Sequence, residues 1–591
     1  MVDLPRDTDY ILCITSFVET RLISCKQEQK AGCPVAHVVT QSCCNDASCV
    51  SVCPVDCIHP TPAERAYIRT EMLFIDPVAC IDCGACVDEC PVDAIVPPED
   101  LTPATEVFAA INAAYYEDIT PGAMDVAEAP VAAVSVGDTR TPLRVAIVGS
   151  GPSACYVAEE LSSTAGIGVE VTFLERLPAP GGLVRYGVAP DHAKTKLIST
   201  TFSRTLSRKN CAVLLNVDVG QHLSHDEIVD HHHAVVYASG APADRSLGIS
   251  GEDLPGSVSA REFSAWYNGH PDHAERTFDF SGERAVVVGN GNVALDVARV
   301  LTSDVARLVG TDIADHALES LAASRIREVI ILGRRGVGGA AFSTPELLGL
   351  SQIPGVEVTA SGFERSDPES GALHRIKASV VENYARTIAS SGNRRIHLQF
   401  QRTPVSIFGD GRVGGIRVER NTVHMSGVKP VVVGTGEFED IEAGLLVRSI
   451  GFRGVRIADL PFDEQRGVLP NQGGAVVDPL TGEAVTGVYT AGWLKRGPSG
   501  VIGSNRPCSI ETSRRIVRDF LAGRLEAPRH STADFMELVY RRQPALVDLK
   551  GWKRIDAHER KQGKVHGRPR LKIVDVAEMV DVSRGTSRTG G

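Results

Sequence analysis

From Thr141 to about Phe520 the chain alternates short β-branched runs with glycine turns and helical patterns. That alternation predicts α/β domains on parallel sheets, whose strands are covered on both faces and read as continuous apolar runs. The clearest strands are Leu143–Val148, Val169–Leu174, Ala285–Val288 and Val329–Leu332. A helical pattern follows the first through Leu161, and another follows the third from about Val293 through Ala298. Residues 96–142 carry Val-Pro-Pro, scattered Ala and Pro, and little periodicity, the pattern of a linker lying over the surface. The charged tail from about Ala527 reads as helical and peripheral. No stretch reaches the roughly eighteen apolar residues of a membrane span. The short apolar run Tyr10–Val18 follows Asp3, Asp7 and Asp9, where a signal peptide carries positive charge, so the protein is expected to stay in the cytosol.

The length of 591 residues implies three or four domains. A formal charge of −12, from 61 basic and 73 acidic residues, argues against nucleic-acid or anionic-membrane partners. Twelve of the fifteen cysteines lie before residue 91. In a compartment that keeps thiols reduced, such a density points to metal rather than disulfides.

Within that cluster stands Cys80-x2-Cys83-x2-Cys86-x3-Cys90-Pro91, the spacing of the bacterial ferredoxin run, in which the fourth cysteine ligates the other cluster. Zinc sites favour two separated pairs instead. The partner half is Cys43-x2-Asp46-x2-Cys49-x3-Cys53-Pro54, with Asp46 where the second cysteine would stand. A carboxylate is a harder ligand than a thiolate and holds that iron corner less firmly. The expected cofactors are a [4Fe–4S] cluster on Cys53, Cys80, Cys83 and Cys86, and a second on Cys43, Cys49 and Cys90. The second is either [3Fe–4S] or a [4Fe–4S] with a labile iron on Asp46. Cys44 and Cys57 are spare; Cys44 is the alternative to Cys43, which the spacing favours. Residues 37–100 hold eleven Asp or Glu against Arg65 and Arg69, a net of −9, so most of the chain's acidity belongs to this segment. Residues 1–36, with Cys13, Cys25 and Cys33, match nothing and read as an extension.

Two glycine motifs follow strands. Gly149-Ser-Gly151-Pro-Ser153-Ala154 leads into a helix, and the next strand ends at Glu175. The glycines allow a tight turn against a pyrophosphate, the helix N-terminus adds partial positive charge, and Glu175 is placed for a ribose hydroxyl. An acidic residue there repels a 2′-phosphate, so this site wants FAD or NAD. The second motif is Gly289-Asn290-Gly291-Asn292-Val293-Ala294, and the strand beyond it ends in Gly333-Arg334-Arg335. Guanidinium forks match phosphate oxygens, which selects NADP(H). Hydride chemistry moves electrons in pairs and clusters take them singly, and a flavin converts between the two.

The segment from His37 to Asp100 resembles two-cluster bacterial ferredoxins of the seven-iron type. Leu183-Val-Arg-Tyr-Gly-Val-Ala-Pro-Asp-His192, Gly289–Arg299, Gly333–Arg335 and Ala491-Gly-Trp-Leu-Lys-Arg-Gly-Pro-Ser-Gly-Val-Ile-Gly503 resemble the adrenodoxin-reductase-like ferredoxin–NADP⁺ reductases. Together they resemble the fused ferredoxin/ferredoxin–NADP⁺ reductases of actinobacteria. The resemblance implies two Rossmann-like dinucleotide domains, the FAD domain split by an inserted NADP domain, behind a small α+β ferredoxin domain. The expected boundaries are 1–36 extension, 37–100 ferredoxin, 101–141 linker, 142–243 FAD domain, 244–440 NADP domain, and 441–591 FAD domain with tail. It assigns FAD contacts to Ser153, Glu175, Leu183, Val219, Trp493, Gly500, Val501 and Ile502. It assigns NADP contacts to Arg245, Asn290, Gly291, Asn292, Val293, Arg334, Arg335 and Glu346, with Gly500 near both. His192 with Glu346 is the candidate proton relay, against a packing role for the histidine. The three adjacent histidines His231–His233 read as a loop before a strand. The implied activity is hydride transfer between NADPH and FAD, with single electrons passing to the chain's own clusters or to an external ferredoxin; a monomer is expected. A glutamate-synthase-like flavoprotein subunit and a non-catalytic electron carrier are the alternatives.

Overall fold

The computed structural model describes residues 36–117, 141–363, 371–390, 392–426 and 429–585. Cys13, Cys25, Cys33 and the rest of the N-terminal extension before Ala36 lie outside them, as does most of the second half of the expected linker.

The apolar runs become strands where expected. An eight-stranded sheet has Leu143–Val148 at its centre, flanked by Val169–Glu175 and Ala234–Tyr237. Cys211–Leu215 and Ala484–Thr490 extend the parallel part on either side. A six-stranded, all-parallel sheet carries Arg284–Val288 beside Glu328–Leu332, then Arg394–Gln399 and Val356–Ser361. On its other side lie Leu445–Arg448 and Ser257–Ser259. The inserted sheet therefore reaches past residue 440. The chain crosses between the two sheets at one antiparallel pair, Ala243–Asp244 with Phe452–Arg453. A three-stranded antiparallel sheet, 402–408, 415–426 and 429–442, projects from the insertion.

Before these sheets lies a small body in which each cysteine loop is followed by a short helix, Ser48–Ser51 and Ala85–Glu89. Two antiparallel pairs hold it, Val38–Val39 with Ile95–Val96 and Ile58–His59 with Phe74–Ile75. The stretch expected to be linker contributes a helix, Val107–Glu117, with Phe108, Ile111, Asn112 and Ala114 buried. It packs on this body on one side and on the helix Ala372–Arg386 on the other. Asn112 pins it. Its Oδ1 accepts from Ile75 N at 2.9 Å and Val39 N at 3.3 Å, and its Nδ2 donates to Val39 O at 2.9 Å and Phe108 O at 2.7 Å. Asn112→Ala strands those buried backbone groups and is expected to cost about 3 kcal/mol. It should show as a lower temperature for the loss of visible cluster absorbance.

The tail differs from a peripheral element. The helix Leu549–Val565 buries Ile555 and Glu559, and Lys572 beyond it is fully enclosed. His231, His232 and His233 form a buried turn before Ala234–Tyr237; burial pushes the His232 and His233 imidazoles down to about 4, the neutral form that suits packing. Among the described residues no helix is long and apolar enough to cross a membrane.

Candidate functional site

Each glycine motif caps a central strand. Gly149 has φ 108°, and a Cβ there would lie 2.7 Å from the Ala238 carbonyl, so only glycine fits. Gly151 is the N-cap of the helix Pro152–Ser162, in which Ser153 and Ala154 are buried. Glu175 accepts from Ser150 Oγ at 2.6 Å and Leu177 N at 3.0 Å, so its carboxylate is tied to the glycine loop; burial raises its pKa. Gly182, at φ 50°, meets Gly151 backbone to backbone, a Cβ there lying 3.1 Å from Gly151 Cα. Leu183 opens the short helix behind it and is half exposed. Val219 bridges Leu223, and two residues before it Val217 N donates to Glu175 O at 2.9 Å.

The late segment returns to the same place. Ser153 Oγ donates to Asn505 Oδ1 at 2.9 Å, and Gly492 packs against Ser153 so closely that a Cβ would overlap it. Trp493 stacks on Phe452 at 5.6 Å between ring centres, and its Nε1 donates to Ser499 O at 3.1 Å. Gly500 sits at φ 76°, and Val501 N donates to Ser504 Oγ at 3.2 Å.

In the second sheet Gly291 caps the helix Asn292–Thr302. Asn292 Oδ1 accepts from Ser343 N at 2.8 Å. Among the described residues, the Nδ2 of Asn290 and the Nε of Arg335 are buried without a partner. Buried donors left unpaired mark places where an acceptor is expected, and a phosphate-bearing nucleotide supplies one. Arg245 is held at the crossing, its Nε 3.3 Å from Phe452 O.

Between the sheets the two halves meet in a charged cage. Asp191 and His192 come from the first half, and Asp296, Arg299 and Glu346 from the insertion. Arg299 donates to Asp191 at 2.6 and 3.2 Å, to Asp296 at 2.7 Å and to Glu346 at 3.2 Å. His192 Nε2 lies 3.5 Å from Glu346 and 3.9 Å from Asp296. Burial raises the Asp296 carboxyl, whereas at Asp191 burial is outweighed by Arg299 and His192 together, which hold it below the usual range. The structure thus brings His192 and Glu346 together. Sequence reasoning missed Asp191, Asp296 and Arg299 as members. The spacing of Asp296 and Arg299, three apart on the helix opened by the glycine motif, was the available signal.

The cysteines form two groups. Cys53, Cys80, Cys83 and Cys86 line one cavity, with His37 and Cys57 beside them. Cys57 Sγ lies 3.4 Å from Cys53 Sγ. Burial pushes the Cys86 thiol up to about 11 and raises Cys57 further. Cys43 and Cys49 form the second group with Cys90. Burial pushes the Cys43 thiol up to about 11, with Cys90 and Asp46 adding to the rise, and burial likewise raises Cys49. Iron binding at either group must therefore release protons. Cys44 is buried in a core with Ala154 and Tyr156, against which Cys43 and Cys90 also pack. Asp46 is 4% exposed and its carboxylate is engaged: Oδ2 accepts from Tyr156 Oη at 2.8 Å, and Oδ1 from Ser48 N at 3.3 Å and from Ser48 Oγ.

Comparison with known proteins agrees with this layout. Residues 143–332 match the model of the pyridine nucleotide-disulphide oxidoreductase family, and residues 73–96 match that of the 4Fe-4S binding domain. A probable ferredoxin/ferredoxin–NADP reductase of Mycobacterium leprae is 47% identical over 559 residues, covering 93% of this chain and 98% of that protein. The NADPH-ferredoxin reductase FprA of Mycobacterium tuberculosis is 42% identical over 460 residues, covering 75% of this chain and all of FprA. The structure of that FprA in complex with NADPH superposes with a TM-score of 0.71 at 42% identity, again over 75% of this chain and 100% of FprA. The match to a fused relative runs through both the cysteine body and the two sheets, and on that ground the chain belongs to the ferredoxin/ferredoxin–NADP reductase family.

Proposed function

We propose that the protein is a ferredoxin–NADP⁺ reductase carrying its own ferredoxin domain, with FAD on the eight-stranded sheet and NADP(H) on the six-stranded one. The observation that carries this reading is the shared cage, in which Asp191 and His192 of one sheet meet Asp296, Arg299 and Glu346 of the other. A residue set drawn from two dinucleotide sheets belongs where two dinucleotides meet.

FAD, when bound, supplies the conversion between paired and single electrons. Its pyrophosphate would rest on the Gly149–Ala154 turn, with Glu175, Ser153, Leu183 and the Trp493 and Gly500–Ile502 segment around it; Val219 belongs to the same half. NADPH would be held by Asn290–Val293, Arg245, Arg334 and Arg335. The cage orients rather than reacts. Arg299 ties three carboxylates into one rigid unit, and Glu346 keeps His192 in place to hold or move a proton at Nε2. Cys53, Cys80, Cys83 and Cys86 are the ligands proposed for a [4Fe–4S] cluster. Cys43, which the spacing favours over Cys44, joins Cys49 and Cys90 for the other. We assign [3Fe–4S] to that second site, supported by the Asp46 carboxylate being committed to Tyr156 and Ser48. An external ferredoxin or another one-electron acceptor is the proposed partner.

The purified holoprotein should reduce ferricyanide with NADPH, and as isolated it should give the EPR signal of an oxidised three-iron centre. No NADPH-dependent reduction overturns the reductase reading. Activity without the three-iron signal, in a sample whose second cluster is intact, overturns only the nuclearity.

A further inference from the structure

The Cys43–Asp46 loop rests on the segment proposed for the flavin. Gly503 N donates to Cys44 O at 2.8 Å, immediately after Gly500–Ile502. A Cβ on Gly503 would overlap the Asn45 carbonyl, so the loop is seated on a position that only glycine can offer. Arg506 Nη1 donates to Asp46 O at 2.9 Å and lies 3.6 Å from the Asp46 carboxylate. Its guanidinium sits 5.9 Å from the centre of the Tyr156 ring, and the Tyr156 hydroxyl donates to the same carboxylate. Cys43, Cys90 and Ile502 all pack against the core that contains Ala154. The other cysteine group faces outward: Cys83 is exposed, and Val78 and Ile81 beside it are 85% and 58% exposed.

We propose that the Cys43/Cys49/Cys90 site is the flavin-facing end of the ferredoxin domain and the Cys83 site its outward end, and that Asp46 acts as the docking residue that fixes this orientation. This rests on the reductase reading above. The position that in a symmetric ferredoxin would supply a fourth thiolate is here used as an anchor. A charge buried at the seam and paired to Arg506 and Tyr156 gives orientation, because a rotated domain would leave it unpaired. The ferredoxin body is then a seated part of the reductase rather than a carrier swinging on a tether.

The test uses the holoenzyme and the double variant Tyr156→Phe/Arg506→Gln, which removes both outside partners of Asp46. Mixed anaerobically with NADPH, the double variant should bleach its flavin at the wild-type rate. Its clusters should be reduced about tenfold more slowly, a factor equivalent to about 1.4 kcal/mol. Hydrogen exchange should rise in peptides spanning 43–48 and 501–507, and dithionite-reduced samples should show the full wild-type cluster EPR intensity. Val78→Lys at the outward end should leave both rates unchanged. Gly503→Ala offers an independent check, since it wedges the seam sterically; the ratio of cluster to flavin reduction should fall there too. Unchanged cluster reduction and unchanged exchange in the double variant overturn the docking role, and slowing by Val78→Lys instead reverses the orientation. Failure of wild-type flavin to bleach with NADPH would strike the reductase reading itself.

Discussion

Replacing Arg334 and Arg335 together by alanine raises the KM for NADPH by about a hundredfold and leaves the KM for NADH nearly unchanged. The backbone of this pair is fixed independently of its side chains. Gly333 N donates to Gln399 O at 2.9 Å, Gln401 N to Arg335 O at 3.4 Å, and Asn421 Nδ2 to Arg334 O at 3.1 Å. The Arg335 stem packs over Gly339, where a Cβ would come within 2.7 Å of Cδ. Among the described residues neither guanidinium is engaged in an ion pair. Two preplaced cations with no protein anion are suited to a 2′-phosphate, and hydrogen bonds to a charged group contribute about 1.5–3 kcal/mol each. Even the lower figure at both sites amounts to about 3 kcal/mol, or two decades of affinity. Arg334 is exposed, so added salt should weaken NADPH binding through it more than through Arg335. Arg335→Lys keeps the charge but loses the fork and should fall between the wild type and the alanine variant. The measurement is steady-state ferricyanide reduction with each nucleotide. Equal rises in both KM values would exclude a phosphate clamp.

Much of this architecture was legible because parallel strands announce themselves. Leu143–Val148, Val169–Glu175 and Glu328–Leu332 are mostly apolar and β-branched, with Arg144, Glu170, Thr172, Glu175 and Glu328 as their polar members, and each lies within a residue of its expected place. The helix opening at Gly291 begins one residue before its expected start. What was hidden depended on surroundings. Val107–Glu117 reads as irregular because it is covered from two sides, by the ferredoxin body and by the helix Ala372–Arg386, so no clean polar face betrays its period. Asp46 fills a ligand's place in the spacing, which leaves open either a three-iron cluster or a labile iron on its carboxylate. Its hydrogen-bond partner Tyr156 stands 110 residues away and its cation Arg506 460 away, beyond the reach of any local pattern. The tail looked peripheral because its residues are charged. Glu559 is nonetheless fully buried, since Arg185 from the flavin-side half reaches it at 2.5 Å and Arg570 from further along the tail at 3.0 Å.

The same long-range pairing makes Asp312→Asn the most damaging single change expected outside the nucleotide sites. Asp312 accepts Lys196 at 2.6 Å and Lys572 at 2.9 Å, and the side chain of Lys572 is 0% exposed. Lys572 also donates to Arg185 O at 3.2 Å and shares Asn268 Oδ1 with Lys196. Asn268 in turn donates to Val188 O at 3.0 Å, in the turn that leads to His192. One carboxylate therefore ties the C-terminal tail, the insertion and the flavin-side turn together. Removing its charge leaves two buried ammonium groups facing each other, at a cost of about 3–5 kcal/mol. Burial alone pushes the Asp312 carboxyl up, but the two ammonium groups more than reverse this and hold it well below the usual range. A carboxyl depressed on folding stabilises the protein above its unfolded pKa of about 3.9 and loses that contribution as the pH falls below it. The variant should thus inactivate faster on heating at neutral pH, and its deficit against the wild type should shrink as the pH drops below about 4. A deficit of constant size across that range would mean that Asp312 acts through shape and not through charge. The lysines give the complementary test: Lys572→Met, which removes one of the two cations while filling its space, should restore part of the stability lost in Asp312→Asn, because the remaining Lys196 no longer faces a second buried charge.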